Sequence, residues 1–366
     1  MKILTILGTR PELIRLNLII KKLDKVSDQV IVHTGQNYDF NLDGVFIKQL
    51  NIRKPDYYLG AKGTFAEQIA TILTGLEKVI IKEKPDRFLV LGDTNSSMGA
   101  IVAKRLGIPV YHMEAGNRCY DNRVPEEVNR RIIDHSSDVL MPYTQRSREN
   151  LIQEGIPGYR IFVTGNPIKE VLDHYKKEID DNPIFEKFNV KQKKYFLVTL
   201  HREENVDVPE RLRNFVKAFE ILVKEFKIPL IWSVHPRTKK RLSEQKITIN
   251  DSRIQMSEPL GFFEFIKLEK NAFCVLSDSG TVQEECSIFG TPTVTVRDTT
   301  ERPETLDAGS NMLSGANPED ILRCVLKLTS LSSGKWQAPR EYLVDNVSDT
   351  VVNILLSHDF FKYSRK

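Results

Sequence analysis

Three carboxylates and two histidines stand where apolar runs of the sequence end, and they are the residues with chemistry to offer. Glu114 follows the run Ile108–Tyr111 in Met113-Glu-Ala-Gly-Asn-Arg118, Asp93 follows Leu91-Gly92, and Glu126 and Glu127 come directly after Pro125. In an open α/β sheet the ligand crevice lies outside the carboxyl ends of the strands, and in a parallel sheet those ends share one edge. Asp93 and Glu114 are therefore expected to converge from neighbouring strands. Glu126 joins them at the positive end of a helix opened by Pro125. Carboxylates gathered in this way suit acid/base work. The local sequence leaves other roles open: Glu114 as a buried ion-pair partner of Arg118 or Arg130, Glu126 and Glu127 as helix-start charges, and Asp93 as the cap of a helix beginning at Ser96.

His201 ends the run Val198-Thr-Leu200 and is followed by Arg202, and His235 ends the next run in the same manner. A histidine at such a junction can shuttle a proton or donate to a leaving phosphate, and two of the seven histidines share this address. In Ser277-Asp-Ser-Gly-Thr-Val-Gln-Glu-Glu285 the small residues Ser279, Gly280 and Thr281 open a helix whose free N–H groups can hold a diphosphate. Glu284 or Glu285, one turn on, can reach ribose hydroxyls. Arg297-Asp-Thr-Thr-Glu-Arg-Pro-Glu304 is a further polar loop on that edge. Near the start, Gly8-Thr-Arg10-Pro-Glu12 with Arg15 one turn later offers N–H groups and guanidinium to an anion, or is simply a βα turn.

The elements that must position these residues alternate. Apolar runs at Lys2–Leu7, Gln29–Thr34, Arg87–Leu91, Val110–Met113 and Val139–Met141 read as strands. Helical periodicity at Glu12–Leu23, Thr64–Ile81, Ser96–Leu106 and Pro125–Asp134 falls between them. A second series begins at Tyr195–Leu200 and continues through Pro209–Lys224, Leu230–Val234, Ile254–Met256, Phe262–Lys270, Phe273–Ser277, Thr281–Phe289, Pro292–Val296 and Pro318–Leu331. This grammar predicts an α/β chain of two doubly wound parallel sheets, each a Rossmann-like domain. The expected domains are 1–173 with the carboxylates and 195–347 with the anion-binding helix start. A charged linker at 174–194 joins them, and a last helix at 348–366 packs back on the first domain.

Composition sets limits. The chain has 366 residues, 40% apolar and 28% charged, as expected of two filled globular cores. A net charge of +4 without a basic block fits a small anionic ligand and excludes a nucleic-acid partner. Cys119, Cys274, Cys286 and Cys324 have no paired short spacing, so reduced thiols and no metal site are expected. No leader pattern and no apolar run of about 18 residues occurs, so a cytoplasmic protein without membrane attachment is expected. There is no G-x-G-x-x-G, Walker A, H-E-x-x-H or nucleophile elbow, which weighs against dehydrogenase, ATPase, metalloprotease and α/β-hydrolase readings.

Taken together, Gly-Thr-Arg-Pro-Glu at 8–12, Thr-Gly-Gln at 34–36, Gly-Asp-Thr at 92–94, Glu-Ala-Gly-Asn-Arg at 114–118 and Pro-Glu-Glu-Val-Asn-Arg at 125–130 resemble the non-hydrolysing UDP-N-acetylglucosamine 2-epimerases. His-Arg-Glu-Glu-Asn at 201–205, Asp-Ser-Gly at 278–280 and Arg-Asp-Thr-Thr-Glu-Arg-Pro-Glu at 297–304 extend the resemblance, in the family's order. It implies two Rossmann-like domains of the GT-B type facing across a cleft, usually a homodimer, and no redox cofactor or metal. It also implies conversion of UDP-GlcNAc to UDP-ManNAc by elimination of UDP to a 2-acetamidoglucal and re-addition, for cell-surface polysaccharide precursors. By resemblance Asp93, Glu114, Glu126 and His201 match the family's catalytic residues. Arg10, Arg15, Gln36, Arg130, Arg202, His235, Phe265, Ser279, Gly280, Thr281, Glu285 and Arg297 match or adjoin its UDP-sugar contacts. Arg15 stands where many members have Lys, Thr281 where many have a second Gly, and Asn37 where substrate-regulated bacterial members carry His. The segment Asn117–Arg123 is similar to relatives acting on UDP-N-acetyl-L-fucosamine, UDP-N-acetyl-L-talosamine or UDP-diacetamidouronate, which are the alternative substrates. A GT-B glycosyltransferase and a sugar-nucleotide binder without catalysis are the readings from other classes.

Overall fold

The structure, a computed structural model, describes residues 1–35, 46–330 and 336–357; Gln36 and Asn37 lie outside the described residues. The chain divides into two compact units, Met1–Val171 with the segment from Val344 onward, and Leu172–Leu343.

In the first unit, strands β1 (Lys2–Leu7), β2 (Asp28–His33), β3 (Tyr57–Tyr58), β4 (Arg87–Leu91), β5 (Val110–Met113) and β6 (Val139–Met141) form a sheet in the order β3-β2-β1-β4-β5-β6 among the described residues. Every pairing is parallel. The order reverses direction between β1 and β4, which is where a doubly wound sheet opens its crevice. Helices α1 (Arg10–Val26), α2 (Phe65–Glu83), α3 (Gly99–Arg105), α4 (Pro125–Ser136), α5 (Gln145–Gln153) and α6 (Ile168–His174) follow the strands. Strands such as Arg87–Leu91 are buried throughout because helices cover the sheet, so they read as unbroken apolar runs. Leu4, Ile6, Val32, Phe88 and Val90 pack against Ile72, Leu76 and Val79 of α2 in one cluster.

The second unit repeats the plan. Helices α7 (Lys176–Asp180) and α8 (Ile184–Phe188) precede β7 (Phe196–Thr199), and α9 (Glu203–Val206) and α10 (Pro209–Phe226) follow it. Then come β8 (Leu230–Ser233), α11 (Pro236–Glu244), β9 (Ile254–Ser257), α12 (Phe262–Asn271), β10 (Cys274–Ser277), α13 (Gly280–Phe289), β11 (Thr293–Thr295), α14 (Pro303–Asp307), β12 (Asn311–Leu313) and α15 (Pro318–Ser330). The parallel sheet runs β12-β11-β10-β7-β8-β9, the same topology as the first, with its reversal between β7 and β10. Alternate strand residues feed two cores: Phe196, Val198, Trp232 and Leu276 pack with α10 on one face, and Leu197, Ile231 and Val275 with α12 and α13 on the other. The last described helix, α16 (Val347–Leu356), belongs to the first unit and packs on α1, and its Ser348 backbone N–H donates to Glu170 of α6 at 2.8 Å.

Two differences from the sequence reading have a physical cause. The charged stretch 174–194 is largely helical, because Ile179, Ile184 and Phe188 recur at intervals that bury one side of two short helices in the second unit. The helix expected from Ser96 begins as a 3-10 turn at Asn95–Met98 before α3, and its N-cap is Thr94, not Asp93. All four cysteines are buried free thiols. Among the described residues no helix is long and apolar enough to cross a membrane.

Candidate active site

The first unit brings Asp93, Glu114 and Glu126 to one edge. Asp93 lies two residues past β4 and Glu114 directly past β5, neighbouring strands in the sheet, and Glu126 occupies the first turn of α4. Glu114 adopts a left-handed backbone with φ 63°. A glutamate pays for that conformation, and such outliers cluster at sites where direction matters more than comfort. Its side chain, 7% exposed, ion-pairs with Arg15 of α1 and accepts from the Asn117 amide at 3.3 Å. Arg118 and Arg130, the partners that sequence suggested for Glu114, are engaged elsewhere: Arg118 with Glu154 and Asp134, Arg130 with Asp93 and Glu127.

Asp93 takes two guanidinium contacts from Arg130, at 3.1 and 2.5 Å. Burial pushes its carboxyl above the ordinary value; Arg130 draws it down, and the charges of Glu114 and Glu126 push it up again. Asp93 therefore senses both of the other carboxylates. Glu127 serves the local structure instead. Burial alone would raise its carboxyl, but the N–H groups of Cys119 and Tyr120, each at 3.0 Å, and Arg130 at 2.6 Å hold it below the ordinary range.

On the β1 side of the reversal, Arg10 stacks its guanidinium over the Phe46 ring at 5.2 Å, and Arg15 lies 5.7 Å from the Tyr143 ring. Glu12 is buried beneath this turn. It accepts from the Gly8 and Thr9 N–H groups at 2.9 and 2.7 Å, from the Thr9 hydroxyl at 2.7 Å and from the Thr94 hydroxyl at 3.0 Å. Burial nonetheless pushes its carboxyl up to about 7.

In the second unit, His201 follows β7 and Asp278 follows β10, on either side of the reversal. Asp278 is fully buried and lies 3.1 Å from His201 Nδ1. It also accepts from the His201 and Arg202 backbone N–H groups, each at 3.0 Å, and from the Asn205 amide at 3.2 Å. Burial would raise this carboxyl, but His201 and those donors hold it well below the usual carboxylate range. The His235 ring is 6.0 Å from that of His201, and it caps α11 by accepting the Arg237 N–H at 3.2 Å. Ser279 is the N-cap of α13, with its hydroxyl 3.0 Å from that of Thr281. A Cβ on Gly280 would lie 2.7 Å from Glu301 Oε1, so a larger residue at this helix start would have to displace that carboxylate. Phe265 of α12 packs, half-buried, against the cluster containing Val282.

Glu285 is 4% exposed on α13, and its charge, after burial, helps hold the buried Glu269 well above the ordinary carboxylate range. Arg202 reaches Glu301 at 3.2 Å. Arg297, two residues past β11, is 2% exposed in an ion pair with Glu301 at 2.7 Å and near Glu204 at 3.7 Å. Sequence reasoning passed over Asp278 and Glu12 as bearers of function. Asp278 had a signal, since it occupies the strand end that a doubly wound order sets beside that of His201; Glu12 had only its place in a capping-box pattern.

The family model for UDP-N-acetylglucosamine 2-epimerase matches residues 21–356. The UDP-N-acetylglucosamine 2-epimerase of Methanocaldococcus jannaschii is 45% identical over 349 residues, covering 93% of this chain and 95% of that protein. The UDP-2,3-diacetamido-2,3-dideoxy-D-glucuronate 2-epimerase of Pseudomonas aeruginosa is 38% identical, covering 88% and 90%. The crystal structure of the M. jannaschii UDP-GlcNAc 2-epimerase in complex with UDP-GlcNAc and UDP superposes with a TM-score of 0.92 at 42% identity, covering 97% of this chain and 99% of that one. With two Rossmann-like domains of the GT-B type and relatives of this identity along nearly its whole length, the chain belongs to the UDP-N-acetylglucosamine 2-epimerase family.

Proposed function

We propose that this enzyme interconverts UDP-GlcNAc and UDP-ManNAc without net hydrolysis. A base takes the C2 proton while the C1–O bond to UDP breaks, giving a 2-acetamidoglucal and free UDP. UDP then adds back at C1 as an acid delivers a proton to the other face of C2. The substrate and product stand at one oxidation level, so the step calls for no redox cofactor, and no metal is invoked. The observation that carries the reading is the set of Asp93, Glu114 and Glu126 on one edge, with Asp93 raised and Glu114 beside a guanidinium. Carboxyls in unlike surroundings are how one site supplies both an acid and a base.

The second unit carries groups suited to a nucleotide diphosphate. His201, oriented through Nδ1 by Asp278, assists departure of the diphosphate, and the start of α13 at Ser279, Gly280 and Thr281 receives it. Arg202 and His235 add contacts to the phosphates, Phe265 flanks uracil and Glu285 accepts from ribose; in the first unit, Arg10 offers a guanidinium to an anionic group. Homodimeric assembly, cytoplasmic residence and supply of surface-polysaccharide precursors follow the family resemblance. A second substrate, a UDP-diacetamidouronate, is favoured by the P. aeruginosa relative. Incubation with each UDP-sugar, followed by NMR of the anomeric protons, tests the assignment. UDP-ManNAc formed from UDP-GlcNAc with no free ManNAc supports it, whereas turnover of the diacetamido sugar alone transfers it to the second substrate. Free ManNAc plus UDP would mean hydrolysis.

A further inference from the structure

Behind the carboxylates lies a polar assembly that the mechanism above does not use. His112 of β5 and Asp134 of α4 both have fully buried side chains. The His112 Nε2–H donates to the Gly92 carbonyl at 2.9 Å, and Nδ1 sits 2.9 Å from Asp134 Oδ1. Asp134 in turn accepts from the Gly116 N–H at 3.2 Å and pairs with Arg118 at 2.8 Å. Gly92 precedes Asp93, and Gly116 lies two residues past Glu114. Gly92, Glu114 and Gly116 all hold positive φ, at 73°, 63° and 79°.

We infer that His112 and Asp134 form a clamp that positions the catalytic carboxylates. Together they bind the turn carrying Asp93, the turn carrying Glu114 and the helix whose first turn carries Glu126. A buried polar pair is a weak stabilising device, since well-packed apolar residues of the same volume often serve folding as well or better. What this pair does supply is direction, because its hydrogen bonds end on the two left-handed corners whose angles aim Asp93 and Glu114. A Cβ on Gly116 would lie 2.2 Å from the Ser147 carbonyl, so this corner is also pressed against α5 and has one place to sit. Neither His112 nor Asp134 has exposed surface to offer substrate, so both act through the backbone.

The inference rests on the epimerase reading, and its test keeps the two apart. His112→Phe preserves the volume and removes both polar contacts, His112→Gln restores a donor to the Gly92 carbonyl, and Asp134→Asn keeps an acceptor without the charge. A displacement of about 1 Å can cost about 10²-fold in rate. The expected result is a kcat about 10²-fold lower for His112→Phe with KM within about threefold, partial recovery in His112→Gln and an intermediate loss in Asp134→Asn, while the dissociation constant for UDP is unchanged. Backbone amide exchange should quicken at 92–93 and 114–116 in His112→Phe. A folded His112→Phe with wild-type kcat overturns the clamp, and so does a kcat loss matched by weaker UDP binding and a lower melting temperature. If His112→Phe does not fold, wild-type kcat in both His112→Gln and Asp134→Asn overturns it. If the wild-type enzyme turns over no UDP-GlcNAc, the UDP-GlcNAc assignment fails on its own, and unchanged amide exchange at the two turns in His112→Phe then decides against the clamp.

Discussion

Glu114 shows what a single residue can reveal and conceal. Its address past a strand was visible in the sequence; its partner was not. Arg118 and Arg130 lie close to it in the chain, yet the cation at its side is Arg15, 99 positions away on α1. Parallel strand order brings that helix to the edge, and no local pattern predicts which guanidinium folds over which carboxylate. For Asp93 the cap reading failed for a similar reason: Arg130 draws the carboxylate toward α4, and the turn at Thr94 needs no side-chain cap from it. At this scale the account predicts that Asp93→Asn and Glu114→Gln each lower kcat by roughly 10²–10⁴. UDP should bind both variants as it binds the wild type, which calorimetry would show. Near-normal turnover in either variant removes that residue from the mechanism.

At the scale of elements, the strands were legible because burial on both faces writes them as apolar runs, and the long amphipathic helices because their period is regular. The two-residue β3 and three-residue β12 carry too few residues to show a period, and α7 and α8 were hidden by the charges on their solvent sides. Two elements make predictions. The start of α1 encloses Glu12, whose folded value of about 7 lies above the ordinary 4.5, so the folded chain binds this proton more tightly than the unfolded chain. The resulting stability is complete below the unfolded value and is lost as pH rises through about 7, on the order of 3 kcal/mol in all. Glu12→Gln should flatten that part of the pH–stability curve in urea unfolding; an unchanged curve would show that Glu12 stays ionised. At the start of α13, Gly280→Ala presses on Glu301, which Arg297 and Arg202 hold at 2.7 and 3.2 Å. Overpacking of about 1–3 kcal/mol there should weaken UDP binding about tenfold or more. An unaltered dissociation constant would place the diphosphate elsewhere.

The whole molecule repeats one topology in two units. Each sheet reverses its order once, and each reversal has its own polar cluster: Gly8–Glu12 and Asp93 in the first unit, His201 and Asp278 in the second. The order of short motifs from Gly8 to Glu304 made the family legible even though each motif alone had a structural explanation. What that order could not show was the layer beneath the site, Asp278 under His201 and Asp134 under His112, because these partners meet through the sheet and not along the chain. The central claim is that one proton leaves C2 and another arrives while the sugar is parted from UDP and then rejoined. Following UDP-GlcNAc with the enzyme in D2O by NMR tests it directly. The account predicts UDP-ManNAc bearing deuterium at C2, and deuterium entering the UDP-GlcNAc pool; UDP-ManNAc that keeps the original C2 hydrogen would contradict it.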